Sequence, residues 1–174
     1  GFGSLAGSGT VKMDSILVGG AFSGPQLTVG GDNTDTTFSG TLSGAGGQFF
    51  KAGTGTMILS GANTFEGRVA VQGGTLQIQG GQAIGDQSDV FFSPPAGTTV
   101  TLDVRTSERM GAIGSSGTSA ALIGNGNTIT IGSDITPNIQ YNGRIEEGSV
   151  AGTKLIKVGS GLQQFTTAAN ASTY

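Results

Sequence analysis

Residues 52–80 read AGTGTMILSGANTFEGRVAVQGGTLQIQG, and the spacing of their apolar residues fits strands rather than a helix. Three short runs, TMILS, RVAVQ and TLQIQ, alternate apolar and polar side chains, with Gly, Asn and Ser between them. The pattern recurs at SILVG (15–19), QLTVG (26–30), TTFSGTLSG (36–44), DVFFS (89–93), TTVTLDV (98–104), NTITIG (127–132), NIQYNGRI (138–145) and TKLIKV (153–158). The best helical candidate, GTSAALIG at 117–124, is short and bounded by glycine at both ends. TMILS lies about 20 residues before TLQIQ, which precedes TTVTLDV by a little more, a period typical of solenoids.

The expected fold is therefore all-β: a right-handed parallel β-helix (β-solenoid) of about eight coils, stacked about 4.8 Å apart, with no significant helix. The inward positions are Ile58, Val69, Val71, Leu76, Ile78, Val100, Leu102, Ile129 and Ile131. Thr75, Gln77, Gln79, Thr99 and Thr101 then face water. Asn and many of the 34 glycines fit the corners, where left-handed backbone is often required. The rival architecture, an antiparallel sandwich, needs two-residue hairpin turns, and the one good Asn-Gly, Asn142-Gly143, sits inside a run.

A longer repeat underlies this period. LTVGGDNTDTTFSGTLSG (27–44) lies over ITIGSDITPNIQYNGRIEEG (129–148), pairing Leu27 with Ile129, Val29 with Ile131 and Asp32 with Asp134. KAGTGTMILSGANTF (51–65) then meets KVGSGLQQFTTAANASTY (157–174), with Lys51 on Lys157, Gly53 on Gly159 and Gly55 on Gly161. A degenerate unit of roughly 105 residues thus spans about 4–65 and again 112–174, and the best-formed motif is 51–80. The whole of 1–174 reads as a single solenoid segment of a longer chain, since the pattern starts and stops in mid-repeat.

The 51–80 motif resembles the autotransporter-associated β-strand repeat of type V secretion passenger domains. Gly53, Gly55, Met57, Leu59, Gly61, Asn63 and Phe65 match its start, and Gly67, Val71, Gly73, Gly74, Thr75 and Leu76 its remainder. Glu66-Gly67 replaces the usual Gly-Gly, and Gln163 and Gln164 break the apolar pattern of the second copy. The resemblance implies a structural or adhesive stalk segment of a secreted or surface-exposed bacterial protein, without catalysis. It also implies that the repeat assists export of the passenger. The family's C-terminal membrane barrel does not occur in these 174 residues.

Composition narrows the chemistry further. With no His and no Cys, Ser-His-Asp and Cys-His catalysis and ordinary zinc sites are excluded. The eight basic residues are dispersed and the net charge is −3, so no nucleic-acid partner is expected. No apolar run approaches the roughly 18 residues of a membrane span, so no direct membrane insertion is expected of this segment. Carboxylates remain as a route to glycan cleavage, but Asp32/Asp35 and Glu146/Glu147, the dense pairs outside the 86–89 loop, have no neighbouring aromatic platform. GGDNTD (30–35) lacks the spacing of a calcium loop, and GSGT (7–10) and GAGG (44–47) lack the Lys-Ser/Thr ending and helix of a phosphate loop. No catalytic, cofactor-binding or metal-binding residue is assigned, and no cofactor.

The Thr-x-Thr pairs 34/36, 54/56, 99/101 and 128/130 do not recur at a constant spacing, which argues against a regular threonine ladder. In Phe49-Phe50 and Phe91-Phe92 one ring of each pair is expected to point outward, either under a loop or towards another chain. Open strand edges at both ends make a filament subunit, assembled by end-to-end stacking, the alternative function, and a glycan-binding or glycan-cleaving β-helix the second alternative. Expected partners are the open ends of other copies or a host or sister-cell surface. The expected location is extracellular or on the outer cell surface.

Overall fold

The computed structural model describes residues 1–14, 16–18, 21–132 and 139–166. Strands repeat in three walls. The first contains Gln26–Val29, Gln48–Lys51, Val69–Val71, Val90–Phe92 and Ile113–Ser115, paired in that order. Ile139–Tyr141 lies against its last strand and pairs with Gln163–Phe165. The second wall contains Thr36–Phe38, Thr56–Leu59, Thr75–Ile78, Val100–Val104, Ala120–Ile123 and Arg144–Glu146. The third is interrupted: Thr10–Lys12 pairs with Thr41–Ser43 at one end, and Glu108–Met110, Thr128–Ile131 and Lys154–Lys157 pair at the other. These ladders are all parallel, as a coiled path requires.

This is the expected parallel β-helix, with six turns marked by the six strands of the second wall rather than about eight. The difference arises because several coils are longer than 20 residues. Gln77 pairs with Asp103 because Ser93-Pro94-Pro95-Ala96-Gly97-Thr98 leaves the coil as a turn, with Thr98 N–H donating to Pro95 O at 3.1 Å. Register survives such excursions because a slip of one residue would turn an entire strand inside out.

The core is a set of stacked columns. Met57, Leu76, Leu102, Leu122 and Ile145 occupy one on the second wall, and Leu27, Phe49, Val69, Val90 and Ile113 one on the first. All are buried. Burying each such side chain stabilises the fold by about 1.5–3 kcal/mol. Of the expected inward positions, Ile58 is the exception. The strand TMIL alternates half-buried and buried, so Met57 and Leu59 point inward and Ile58 outward beside Gln77. Three consecutive apolar residues hide the period in the sequence, and pairing with Leu76 and Ile78 decides it.

TTFSGTLSG and NIQYNGRI, each read as one run, are both bent into two strands at a corner, around Gly40 and Gly143. Gly40 has no room for a Cβ, which would lie 1.8 Å from Gly9 O. GTSAALIG supplies the strand Ala120–Ile123. Among the described residues one antiparallel pair stands apart from the other ladders, Ile16–Val18 with Ala21–Ser23.

Candidate functional site

The coil running from Gln48 to Gly67 ties itself to its neighbours at both corners. Where the first wall meets the second, Lys51 follows the inward alternation of its strand, and a cation cannot remain there without partners. Only 1% of the residue is exposed, and its Nζ donates to Ala52 O (2.7 Å), Gly53 O (3.1 Å) and, in the next coil, Gly73 O (3.1 Å). Burial pushes the ammonium below its ordinary pKa, opposed by the Asp35 carboxylate. The sequence match of Lys51 with Lys157 has a local counterpart, because Lys157 Nζ donates to Val158 O and Gly159 O. Lys51→Met is expected to cost about 2 kcal/mol in urea unfolding, because three carbonyls lose a charged donor. Lys157→Met, at an exposed residue, is expected to change stability by less than about 0.5 kcal/mol.

At the opposite corner, Asn63 is 5% exposed and spans three coils. Its Oδ1 accepts from Leu42 N–H (2.7 Å) in the coil before, and its Nδ2 donates to Ala83 O (2.7 Å) in the coil after. Beside it Phe65 is fully buried, its ring 6.5 Å from that of Phe49.

A cleft of about 220 Å³ opens over this corner, lined by Asn63, Thr64, Phe65 and Glu66 of one coil and Gln82, Ile84, Gly85, Asp86 and Gln87 of the next. Its exposed carboxylates come from successive coils, and Asp86 lies 3.9 Å from Arg109. The buried carboxyl nearest in the stack, Glu108, accepts from Ile84 N–H at 2.9 Å and is not part of the lining. Among the described residues, no three carboxylates converge in a way that would hold a metal ion.

Of the carboxylates singled out in the sequence, Asp32, Asp35 and Glu147 are spent on the backbone. Asp32 Oδ1 accepts from Thr34 N–H (3.3 Å), and Asp35 Oδ1 from Thr56 N–H (2.6 Å) in the next coil. Between them Asn33 adopts φ 62° and its Oδ1 accepts from Thr54 N–H (2.9 Å). GGDNTD is thus a corner that hydrogen-bonds to the coil above it. Glu147 accepts from Thr153 N–H (2.9 Å), which holds its carboxyl below the ordinary range, and Glu146 pairs with Arg144 (3.1 Å). Asp134 lies outside the described residues.

Two surface expectations need correction. Thr56, Thr75 and Thr101 do align in one column on three consecutive coils, because the 93–98 excursion absorbs the uneven spacing. The adjacent column reads Ile58, Gln77, Asp103, so no flat threonine face results. The outward rings Phe50 and Phe91 are half-buried rather than exposed. Ala70 lies between them in the ladder, the Phe91 ring passes over Gly114, and the Arg68 guanidinium stands 5.2 Å from the Phe91 ring centre.

Sequence reasoning matched Asn63 to a motif without giving it a role. It also missed Lys51 as a buried cation and Glu108 as a buried carboxyl. Lys51 had a signal, the shared Lys-x-Gly-x-Gly spacing with Lys157, whereas Glu108 sits in the polar run RTSER, which hides the strand Glu108–Met110.

The passenger-associated-transport-repeat family model matches residues 49–78. An adhesin autotransporter of Brucella suis biovar 1 (strain 1330), BmaC, is 41% identical over 100 residues. That stretch covers 48% of this chain and 3% of the relative, so the chain spans only a small part of that protein's length. No solved structure matches. The coil that carries Lys51, Gly53, Asn63 and Phe65, together with the strand Thr75–Ile78 stacked on it, is an autotransporter passenger repeat built into a parallel β-helix.

Proposed function

We propose that this chain is a non-catalytic stalk segment of a bacterial adhesin of the autotransporter type, secreted or displayed on the outer cell surface. The observation that carries the reading is the stack of coils, continuous along the second wall and locked through residues 49–78 by side chains that bond across coil boundaries. Each coil offers the next an edge of backbone groups and a matching column of apolar side chains, so the chain can fold outward coil by coil after crossing a pore unfolded. Adhesion would come from extended surface, towards a host or sister cell, with the solenoid setting reach and stiffness. The reading is tested by electron microscopy of the purified chain together with a reducing-end assay on bacterial and host polysaccharides. Discrete rods with a stacked length of about 29 Å and no release of reducing sugar are expected. Steady sugar release would overturn the non-catalytic reading, and compact globules would overturn the stalk.

A second reading, a filament subunit, has one observation in its favour. Leu155, Ile156, Leu162 and Phe165 near the last described coil are each 36–52% exposed, and Phe2 at the other end is 65% exposed. Under this reading sedimentation shows concentration-dependent polymers, and Ile156→Glu with Leu162→Glu abolishes them.

A further inference from the structure

The third wall has a gap. Between Thr41–Ser43 and Glu108–Met110 two successive coils contribute no strand to it, at residues 61–66 and 81–86. Two backbone bonds still cross the gap, Thr64 N–H to Leu42 O and Asn63 N–H to Gln82 O, both at 2.9 Å, and side chains add the rest: Asn63 bonds down to Leu42 N–H and up to Ala83 O, and Glu108 reaches down to Ile84 N–H. Glu108 therefore does for the 81–86 corner what Asn63 does for the coil beneath it, but with a carboxyl in place of an amide.

The substitution matters because an amide is neutral at every pH. Glu108 is 3% exposed, and its Oε2 is buried with no hydrogen-bond partner. Protonated, such a carboxyl is a neutral group accepting one N–H. Ionised, it is a buried charge with one oxygen undressed, a state costly enough to open the corner. The charged groups around it do not relieve this. Asp86 faces it from the preceding coil and adds like charge, and Arg109, the next residue, is directed to Asp86 at 3.9 Å. Arg105 and Asp103 of the same coil pair with each other at 2.8 Å, and the strand packed above, Thr128–Ile131, places Ile129 opposite Glu108 and has no titratable side chain.

We propose that Glu108 is a proton-operated latch: protonated it clamps the strandless 81–86 corner and the cleft wall this corner forms, and ionised it lets that corner loosen. Burial, opposed by the hydrogen bond from Ile84 N–H, moves the carboxyl from its ordinary 4.5 to about 7. Between those values the folded chain holds a proton that the unfolded chain has lost, so stability falls as pH rises through this window and levels off above it. The stalk is then tighter in mildly acidic surroundings than at neutral to alkaline pH.

The test is amide hydrogen exchange at Ile84 in the 174-residue chain from pH 5 to 8.5, corrected for intrinsic exchange. Protection of Ile84 is expected to drop on the order of 10- to 100-fold across the range. In Glu108→Gln, which keeps the acceptor for Ile84 N–H and cannot ionise, the drop should vanish. If that variant does not fold, carbon-detected NMR of the wild-type Glu108 carboxyl gives the answer directly, with titration near 7 supporting the latch. Flat Ile84 protection in the wild type, an unchanged drop in Glu108→Gln, or a carboxyl titrating near 4.5 would each overturn it.

Discussion

Asn63→Ala is expected to lower stability by about 3–5 kcal/mol, seen as a fall in urea midpoint with an unchanged slope. Truncation removes the acceptor of Leu42 N–H and the donor to Ala83 O, two buried backbone groups in different coils. Each orphaned group costs about 1–3 kcal/mol. A buried cavity beside Phe65 adds to that. No strand pairs on the third wall at residues 61–66, so only two backbone bonds, Thr64 N–H to Leu42 O and Asn63 N–H to Gln82 O, remain to hold the coils there. Asn63→Asp separates the two halves of the effect: it keeps the acceptor for Leu42, loses the donor to Ala83 and buries a charge above its pKa. It should therefore be at least as damaging as Ala at pH 7 and partly recover at pH 4, when the carboxyl becomes neutral. A loss below about 1 kcal/mol for Asn63→Ala would mean that stacking and the backbone bonds of Asn63 and Thr64 suffice to hold the third wall closed.

Much of the fold was legible because β-solenoids write their register into alternation. Val69, Val71, Leu76, Ile78, Val100, Leu102, Ile129 and Ile131 are buried as their two-residue period requires. Periodicity failed where it was uninformative: in TMIL three apolar residues run together, and only the partners Leu76 and Ile78 show that Met57 and Leu59 are the inward pair. It failed again at the corners. TTFSGTLSG alternates straight through Gly40, and the bend there is imposed by the close passage of Gly9 O, a contact between coils rather than a local propensity.

The features that lock the coils were the least legible, because their meaning depends on the coil above or below. Lys51 in a sequence is a solvated cation by default; in the stack it occupies an inward position between Val29 and Val71, and its head finds carbonyls only because Gly53 and Gly73 bring bare backbone to the corner. Glu108 has still less of a signature, since nothing in RTSERM distinguishes an exposed glutamate from one that spans to Ile84, 24 residues earlier. Such contacts are set by coil length, and coil length varies with each surface excursion.

Gly53→Ala is the second large effect, expected to cost about 3 kcal/mol or more and to leave the chain partly unfolded at 37 °C. Two causes combine. The backbone at Gly53 has φ 68°, where a side chain costs about 1 kcal/mol. A Cβ there would also lie 1.8 Å from Gly30 O and 2.9 Å from Asn33 Oδ1, the atom that receives Thr54 N–H. The clash is with the backbone of the preceding coil, so relief requires two coils to move apart, which weakens the bonds on either side of the corner. Gly97→Ala is the control, with φ 78° but open space around the new methyl, so it carries only the conformational cost of about 1 kcal/mol. Urea unfolding of the two variants then measures the close approach itself. A gap of about 2 kcal/mol or more assigns Gly53 to coil spacing, and that spacing is what lets Lys51 reach Gly73. Equal losses would mean that the corner can relax outward, and that conformational freedom alone accounts for glycine at this position.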